Sequence, residues 1–420
     1  MDDSGLVRRL GTRDAVVIGL GAMIGAGVFS AFAPAAAAAG AGLLIGMALA
    51  ALVAYCNAAA SAQLAAQYPV SGGTYYYGRQ QLGHWWGFVA GWGFVTGKMA
   101  SCAAMALTFA TYAVPDSGWL QRLVGVAAVV TLTAANYRGI TKTATLTRVL
   151  VTVTLLVLLL VVVLSLTGAR TGAADLSAGT AWAPGGAYGI LQAGGLLFFA
   201  FAGYARIATL GEEVRDPAVT IPRSIVIALA TTVGVYLLIG ASTLLVAGPE
   251  VLARSTAPLA AAVDAAGAGW AQPVVRAGAA VASLSSLLVL VAGIGRTSMA
   301  MARQADLPPW LAAVHPRYRV PHRAELLIAG VVIALVLTTD LREVIGFSSF
   351  SVLTYYGIAN VSAFTQRPEH RRWPRALNIV GVIGCATLAF TLPPQAVVAA
   401  LALFAIGIAG RAVVLYRRSS

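Results

Sequence analysis

Stretches of about twenty apolar residues follow one another along almost the whole chain, at roughly 14–36, 39–66, 85–114, 118–136, 143–168, 188–213, 222–247, 273–302, 324–340, 343–365, 375–392 and 395–416. Runs of that length match a hydrocarbon core ~30 Å thick when each helical residue rises 1.5 Å. Hydrocarbon offers no partner to a free N–H or C=O, so each run must satisfy its backbone internally, as a helix. Composition agrees: 59% of the 420 residues are hydrophobic and 10% charged, against about 25% charged in a soluble domain. The expected fold class is all-α integral membrane with about 12 transmembrane helices, a single domain over 1–416 and a short tail at 417–420.

The basic residues set the orientation. With the N-terminus inside, nineteen Lys and Arg fall in inner loops, among them Arg8, Arg9, Lys142, Arg303 and Arg372. Five fall outside: Arg122, Arg170, Arg254, Arg276 and Arg342. That bias predicts a multi-pass plasma-membrane protein with both termini cytoplasmic. The net charge of +13 is scattered through short loops, so it is read as facing the anionic lipid bilayer rather than nucleic acid. Cys56, Cys102 and Cys385 stand far apart in apolar runs, and His84, His315, His322 and His370 show no paired ligand spacing. No nucleophile–base pair or carboxylate dyad lies within the spans. No enzyme, cofactor or metal is expected. Tyr75, Tyr76 and Tyr77 read as an interfacial aromatic anchor.

Two spans carry signs of a break. Leu20-Gly-Ala-Met-Ile-Gly-Ala-Gly-Val-Phe29 puts Gly21, Gly25 and Gly27 in one apolar run, and each glycine costs roughly 1 kcal/mol relative to alanine in a helix interior. The sixth run is interrupted at Gly203, flanked by Phe199, Phe201 and Tyr204. Unwound backbone at membrane depth is tolerated only where it is buried in protein or lines a wet cavity. Paired breaks in two halves of a chain point to a transporter with a midplane site. Glycines can also simply let helices pack closely, and Gly21-x-x-x-Gly25 fits that reading by itself.

The residues resemble a known family. Gly21-Ala-Met-Ile-Gly-Ala-Gly-Val-Phe29 is similar to the G-x-x-I/M-G-x-G-I/V-F signature of the amino acid–polyamine–organocation permeases. Further matches follow in order: Pro69-Val-Ser-Gly-Gly-Thr-Tyr75, Phe198-Phe-Ala-Phe-Ala-Gly203 with Glu212-Glu-Val-Arg-Asp-Pro217, Gly295-Arg-Thr-Ser-Met-Ala-Met-Ala-Arg303, and Phe347-Ser-Ser-Phe350 with Tyr355-Tyr-Gly-Ile-Ala-Asn360. Singly they are weak; together they cover nearly the whole chain. The resemblance implies the LeuT-type fold, with broken helices 1 and 6, residues 14–168 as one five-helix repeat, 188–365 as its inverted copy and 375–416 as two added helices.

It also implies a site. The amides of Ala26 and Gly27, at the half-helix beginning near Gly25, would hold a substrate carboxylate, as helix N-termini suit anions. Carbonyls at Ala22, Met23 and Ala202 would take its ammonium beside Gly203, and Phe199 aligns with an aromatic gate. Where cationic-substrate relatives place a carboxylate, this chain has Ala205. A neutral amino acid is therefore the expected substrate. A cationic amino acid or polyamine carrier or exchanger of the same fold is the alternative, and a non-transporting sensor or assembly subunit the alternative of another class.

Charges within the spans complete the set. Lys98 lies 13 residues after Trp85 and 17 before Pro115, so about 20 and 25 Å from the two interfaces at 1.5 Å per residue. Desolvation at that depth makes it a candidate proton carrier, so H+ is the expected coupling ion. The structural alternative is a lysine bonded to backbone carbonyls or to hydroxyls such as Thr96 and Ser101. Proton-coupled relatives carry their lysine in the fifth span, where Thr154 stands here. Thr154 with Ser285 or Ser286 is the alternative, a sodium site. Arg206, Glu213 and Arg296 read as an inner gate or ion-pair network.

Overall fold

The structure is a computed structural model describing residues 10–70, 72–115, 118–138, 144–170, 174, 183–211 and 213–419. Arg8, Arg9, Ser71, Lys142 and Glu212, all used in the sequence reading, lie outside the described residues. The chain forms α1 (Thr12–Met23), α2 (Ala26–Ser30), α3 (Phe32–Ala39), α4 (Leu43–Gln67), α5 (Gly73–Leu82), α6 (His84–Ala113), α7 (Gly118–Tyr137) and α8 (Ala144–Ala169). After these come α9 (Gly186–Phe201), α10 (Ala205–Ala208), α11 (Pro217–Arg254), α12 (Pro258–Ala265) and α13 (Gln272–Arg303). The last four are α14 (His322–Thr338), α15 (Leu341–Phe364), α16 (Arg375–Phe390) and α17 (Pro394–Ser419).

Ten helical segments among the described residues are long and apolar enough to cross a membrane. The expectation of about twelve adds α14 and α16, which have 17 and 16 residues. At 1.5 Å per residue these reach about 24–26 Å, short of the ~30 Å core. The first two spans are divided by a tight 3₁₀ turn at Gly40–Gly42, where Gly40 takes φ 56°, a left-handed conformation that suits glycine. The connection after the seventh apolar run holds α12, and α11 runs into it through a kink at Gly248 with φ 75°.

The buried middle of the bundle is α6, packed against α13 and α15. Close approach there rests on glycine. A Cβ at Gly97 would stand 2.6 Å from Ser351 Cβ, and one at Gly93 3.0 Å from the Ser351 carbonyl oxygen. With little hydrophobic drive between helices in lipid, such backbone-to-backbone contact supplies the packing. It also presses the α6 residue beside Gly97, Lys98, into the bundle.

Tyr75 and Tyr77 correct the expectation of an interfacial anchor. Both are buried. The Tyr75 hydroxyl donates to Asp306 Oδ2 at 2.7 Å and that of Tyr77 to the Ala208 carbonyl at 3.3 Å. Burial first, and then the Asp306 carboxylate, push the Tyr75 phenol well above its ordinary pKa, so it remains a donor. A phenol placed under protein finds a partner there, rather than in the headgroup region.

Candidate functional site

The first break is open. Helix α1 ends at Met23. Ile24 (φ −81°, ψ 70°) and Gly25 (φ −127°, ψ −141°) leave helical geometry, and α2 starts at Ala26. The first amides of α2 then have no partner within that helix. Helix α2 passes into α3 through Ala31, which keeps helical dihedrals, so one half-helix runs from Ala26 to Ala39. Gly25 and Gly27 are required by their neighbours. A Cβ on Gly25 would collide with the Ser286 hydroxyl, and one on Gly27 would stand 2.7 Å from Ala200 Cα.

The second break is narrower than the sequence suggested. Helix α9 tightens into a 3₁₀ turn over Ala202–Tyr204 and resumes as α10. Gly203 serves contact more than unwinding: a side chain there would strike the Ala22 carbonyl. The two interrupted segments therefore cross backbone against backbone at Ala22–Gly203 and Gly27–Ala200.

A cavity of about 20 Å³ lies at this crossing, lined by Ala22, Met23, Gly25, Ala26, Gly27, Lys98, Ser101, Met105, Phe199, Ala200 and Gly203. Seven of the eight residues expected to bind substrate line it; the eighth, Ala202, does not, but its carbonyl accepts from the lining residue Lys98. Lys98 is 8% exposed, and its Nζ donates to the Ala202 oxygen at 3.4 Å. Among the described residues it is the one titratable side chain in the lining, which holds no carboxylate. Ser101 instead bonds the Ser348 hydroxyl at 2.7 Å, and Thr96 its own helix at Trp92.

Two tyrosines that the sequence reading did not place at the site hold its carbonyls. The Tyr236 hydroxyl on α11 donates to the Met23 oxygen at 2.7 Å and lies 3.4 Å from that of Ala200. The Tyr356 hydroxyl on α15 donates to the Ala202 oxygen at 3.2 Å. Met23 and Ala202 stand at the two breaks, where the regular helical ladder is interrupted and buried carbonyls take donors from other helices. For Tyr236 a signal was present in the sequence: a lone tyrosine in an apolar run needs a buried acceptor.

The remaining candidates fall elsewhere. Thr154 bonds its own helix at the Leu150 carbonyl, 2.8 Å away. Ser286 is buried against Gly25, and Ser285 stands beside it in α13. Arg206 donates to Thr209 Oγ1 at 3.1 Å and pairs with Glu213 at 3.8 Å, both side chains 30% exposed. Arg296 is exposed. At this end Leu10 pairs with Val214 as an isolated parallel bridge, through Leu10 N–H to Glu213 O at 3.1 Å and Arg215 N–H to Leu10 O at 2.9 Å. The strap ties the start of α1 to the segment after α10. At the opposite end of the bundle Gly185 and Gly189 lie directly on the Ala38 carbonyl.

Comparison with known proteins agrees with this arrangement. Residues 10–411 match the family model described as amino acid permease. An uncharacterized transporter of Mycobacterium tuberculosis is 57% identical over 404 residues, covering 96% of this chain and 90% of its own length. A branched-chain amino acid permease of Bacillus subtilis is 26% identical over 90% of this chain and 85% of its own. Cationic amino acid transporter 7 of Arabidopsis thaliana is 27% identical over 92% of this chain and 70% of its own. A helical membrane bundle whose interrupted segments meet at a buried cavity, matched from end to end by one family, leaves one assignment: the chain belongs to the amino acid permeases.

Proposed function

We propose that this permease is a secondary active carrier of a neutral amino acid, working by alternating access and coupled to protons through Lys98. The observation that carries the reading is the lysine itself, buried in the cavity without a carboxylate beside it. A cationic side chain entering there would meet a like charge at short range and low dielectric, where repulsion is hardly screened. A zwitterion meets complementary groups instead. The Ala26 and Gly27 amides face its carboxylate, and the Met23 and Ala202 carbonyls its ammonium. For the second of these it competes with Lys98, so substrate entry and the protonation of Lys98 are linked.

The two breaks correspond if 14–168 and 188–365 are inverted repeats, which supports rocking of one bundle about a fixed site. Orientation follows the basic loops: both termini in the cytoplasm of a plasma membrane, with the Leu10–Val214 strap and the Arg206–Glu213 pair at the inner gate. The relatives' names divide between branched-chain and cationic substrates, so the cavity charge is what favours the neutral class. The test is radiolabelled uptake by purified protein in liposomes, comparing leucine and alanine with arginine and lysine under an imposed pH gradient. Uptake of the neutral pair is expected. Uptake of arginine alone would overturn the substrate reading, and no flux of any amino acid would favour a sensor.

A further inference from the structure

A second cavity of about 390 Å³ opens at the end of the bundle that carries the arginine-rich loops, far larger than the one at the helix breaks. We propose that it binds one phosphate-bearing anion, the headgroup of an anionic phospholipid in that leaflet. Its walls come from four elements: Arg79 on α5, His84 and Trp85 on α6, Gln304, Ala305 and Asp306 after α13, and Arg411 and Leu415 on α17.

Charge is the first argument. Among the described residues Asp306 is the lone carboxylate in the lining, and it is already engaged, by Arg411 Nη1 at 2.6 Å, Arg79 Nη1 at 3.1 Å and the Tyr75 hydroxyl at 2.7 Å. Two guanidiniums against one carboxylate leave a positive charge over. The second argument is Arg411. Its side chain is 7% exposed and lies over Trp85 and Phe88, with Cζ 5.0 and 4.6 Å from the ring centroids. Its Nε nonetheless has no hydrogen-bond partner among the described residues. A buried guanidinium N–H without an acceptor is costly, and a phosphate oxygen entering the cavity would supply one in the fork geometry that arginine favours.

Location argues for a lipid source. Trp85 and Trp86 are exposed beside the cavity as an interfacial aromatic pair. The outer face of α17 carries exposed Val398, Leu401, Ile406, Val413 and Val414, a strip along which acyl chains would lie. The headgroup would then clamp the last helix to α5 and to the turn after α13. That turn is already strained, since Ala305 adopts φ 59°.

The test uses delipidated full-length protein and native mass spectrometry with added phosphatidylglycerol or phosphatidylcholine. One phosphatidylglycerol is expected to bind with about fivefold preference per basic contact. Arg79→Gln should remove that preference. Gln304→Leu, which leaves every Asp306 pairing in place, should weaken it with thermal unfolding otherwise unchanged. Inorganic phosphate is added alone in a parallel arm. If it raises the unfolding temperature of the wild type but not of Arg79→Gln, and phosphatidylglycerol shows no preference, the site holds and its source is free phosphate. Equal retention of both lipids by wild type and variants, with no effect of phosphate, overturns the proposal.

Discussion

Replacing Lys98 by methionine tests the proposed coupling, because the structure bounds what can carry a proton. Among the residues lining the central cavity one side chain titrates, so at most one proton can accompany each substrate through this site. One pH unit is worth about 1.4 kcal/mol per proton. A carrier coupled one to one therefore concentrates a neutral amino acid about tenfold across a gradient of that size. Methionine keeps the length and apolar stem of lysine while removing the charge. The one hydrogen bond it deletes, 3.4 Å from Nζ to the Ala202 oxygen, is long and weak. The Ala202 carbonyl keeps Tyr356 as a donor at 3.2 Å. Stability should hold or rise, because methionine removes the desolvation cost of a buried charge held by one weak hydrogen bond. The expected result in proteoliposomes is a fall in the accumulation ratio from about ten to about one, with counterflow exchange of labelled substrate retained. Tenfold accumulation by a folded Lys98→Met protein would refute the assignment, and loss of exchange as well would move Lys98 from coupling to substrate binding.

Four further outcomes follow from contacts at and around the site. Gly27→Val sets a branched side chain against Ala200, whose Cα would stand 2.7 Å from the new Cβ; overpacking of this kind costs about 1–3 kcal/mol, and a thermal-shift titration should show substrate binding lost before the fold is. Tyr236→Phe withdraws the donor from the Met23 carbonyl at 2.7 Å, so unfolding should become easier by about 1–3 kcal/mol and the uptake KM should rise. Exchanging the charges of Arg206 and Glu213, 3.8 Å apart and each 30% exposed, concerns a pair worth at most about 1 kcal/mol; if the pair latches the gate, the double exchange should restore more transport than either single change. Thr154 gives its hydroxyl to its own helix, so Thr154→Val should leave uptake unaltered whether external sodium is present or absent.

The sequence disclosed those features that rest on local backbone chemistry. Apolar runs of bilayer length have one outcome, and they became helices close to the boundaries expected. The glycine cluster marked the first break because a side chain at Gly25 would strike Ser286 and one at Gly27 the Ala200 backbone. Gly203 was less legible. A glycine in a helix can signal unwinding or contact with a neighbour, and here the neighbouring Ala22 carbonyl sets its role while the chain stays in a 3₁₀ turn. Lys98 was visible as a buried charge, but its arrival in the cavity depends on Gly93 and Gly97 drawing α6 onto α15. Tyr236 and Tyr356 escaped for the same reason. Their partners are carbonyls 213 and 154 positions away in the chain, which meet them only once the bundle has assembled.

The unequal breaks bear on how the site opens. A cavity of about 20 Å³ has room on the order of a single water, so an amino acid enters only if the walls separate. Both routes are shut in the same manner, backbone on backbone. At one end Gly185 and Gly189 sit on the Ala38 carbonyl; at the other the Leu10–Val214 strap binds the start of α1 beneath α10. Each contact joins the first interrupted segment to the second, so a route can open only where those segments part. In the proposed alternating-access cycle the open backbone at Gly25 is the place for that rotation, since the ladder of α1 ends with the Ile24 N–H on the Leu20 carbonyl and α1 could tilt while α2 and α3 stay docked. The 3₁₀ turn at Ala202–Tyr204 keeps its hydrogen bonds and its Tyr356 contact, and so acts as the fixed side. In the proposed cycle the first break would be the hinge and the second the anvil. A disulfide placed between the Leu10 and Val214 positions should therefore stop flux while leaving substrate binding from the opposite side intact. Unimpaired flux through the cross-linked protein would mean that α1 is not the moving part.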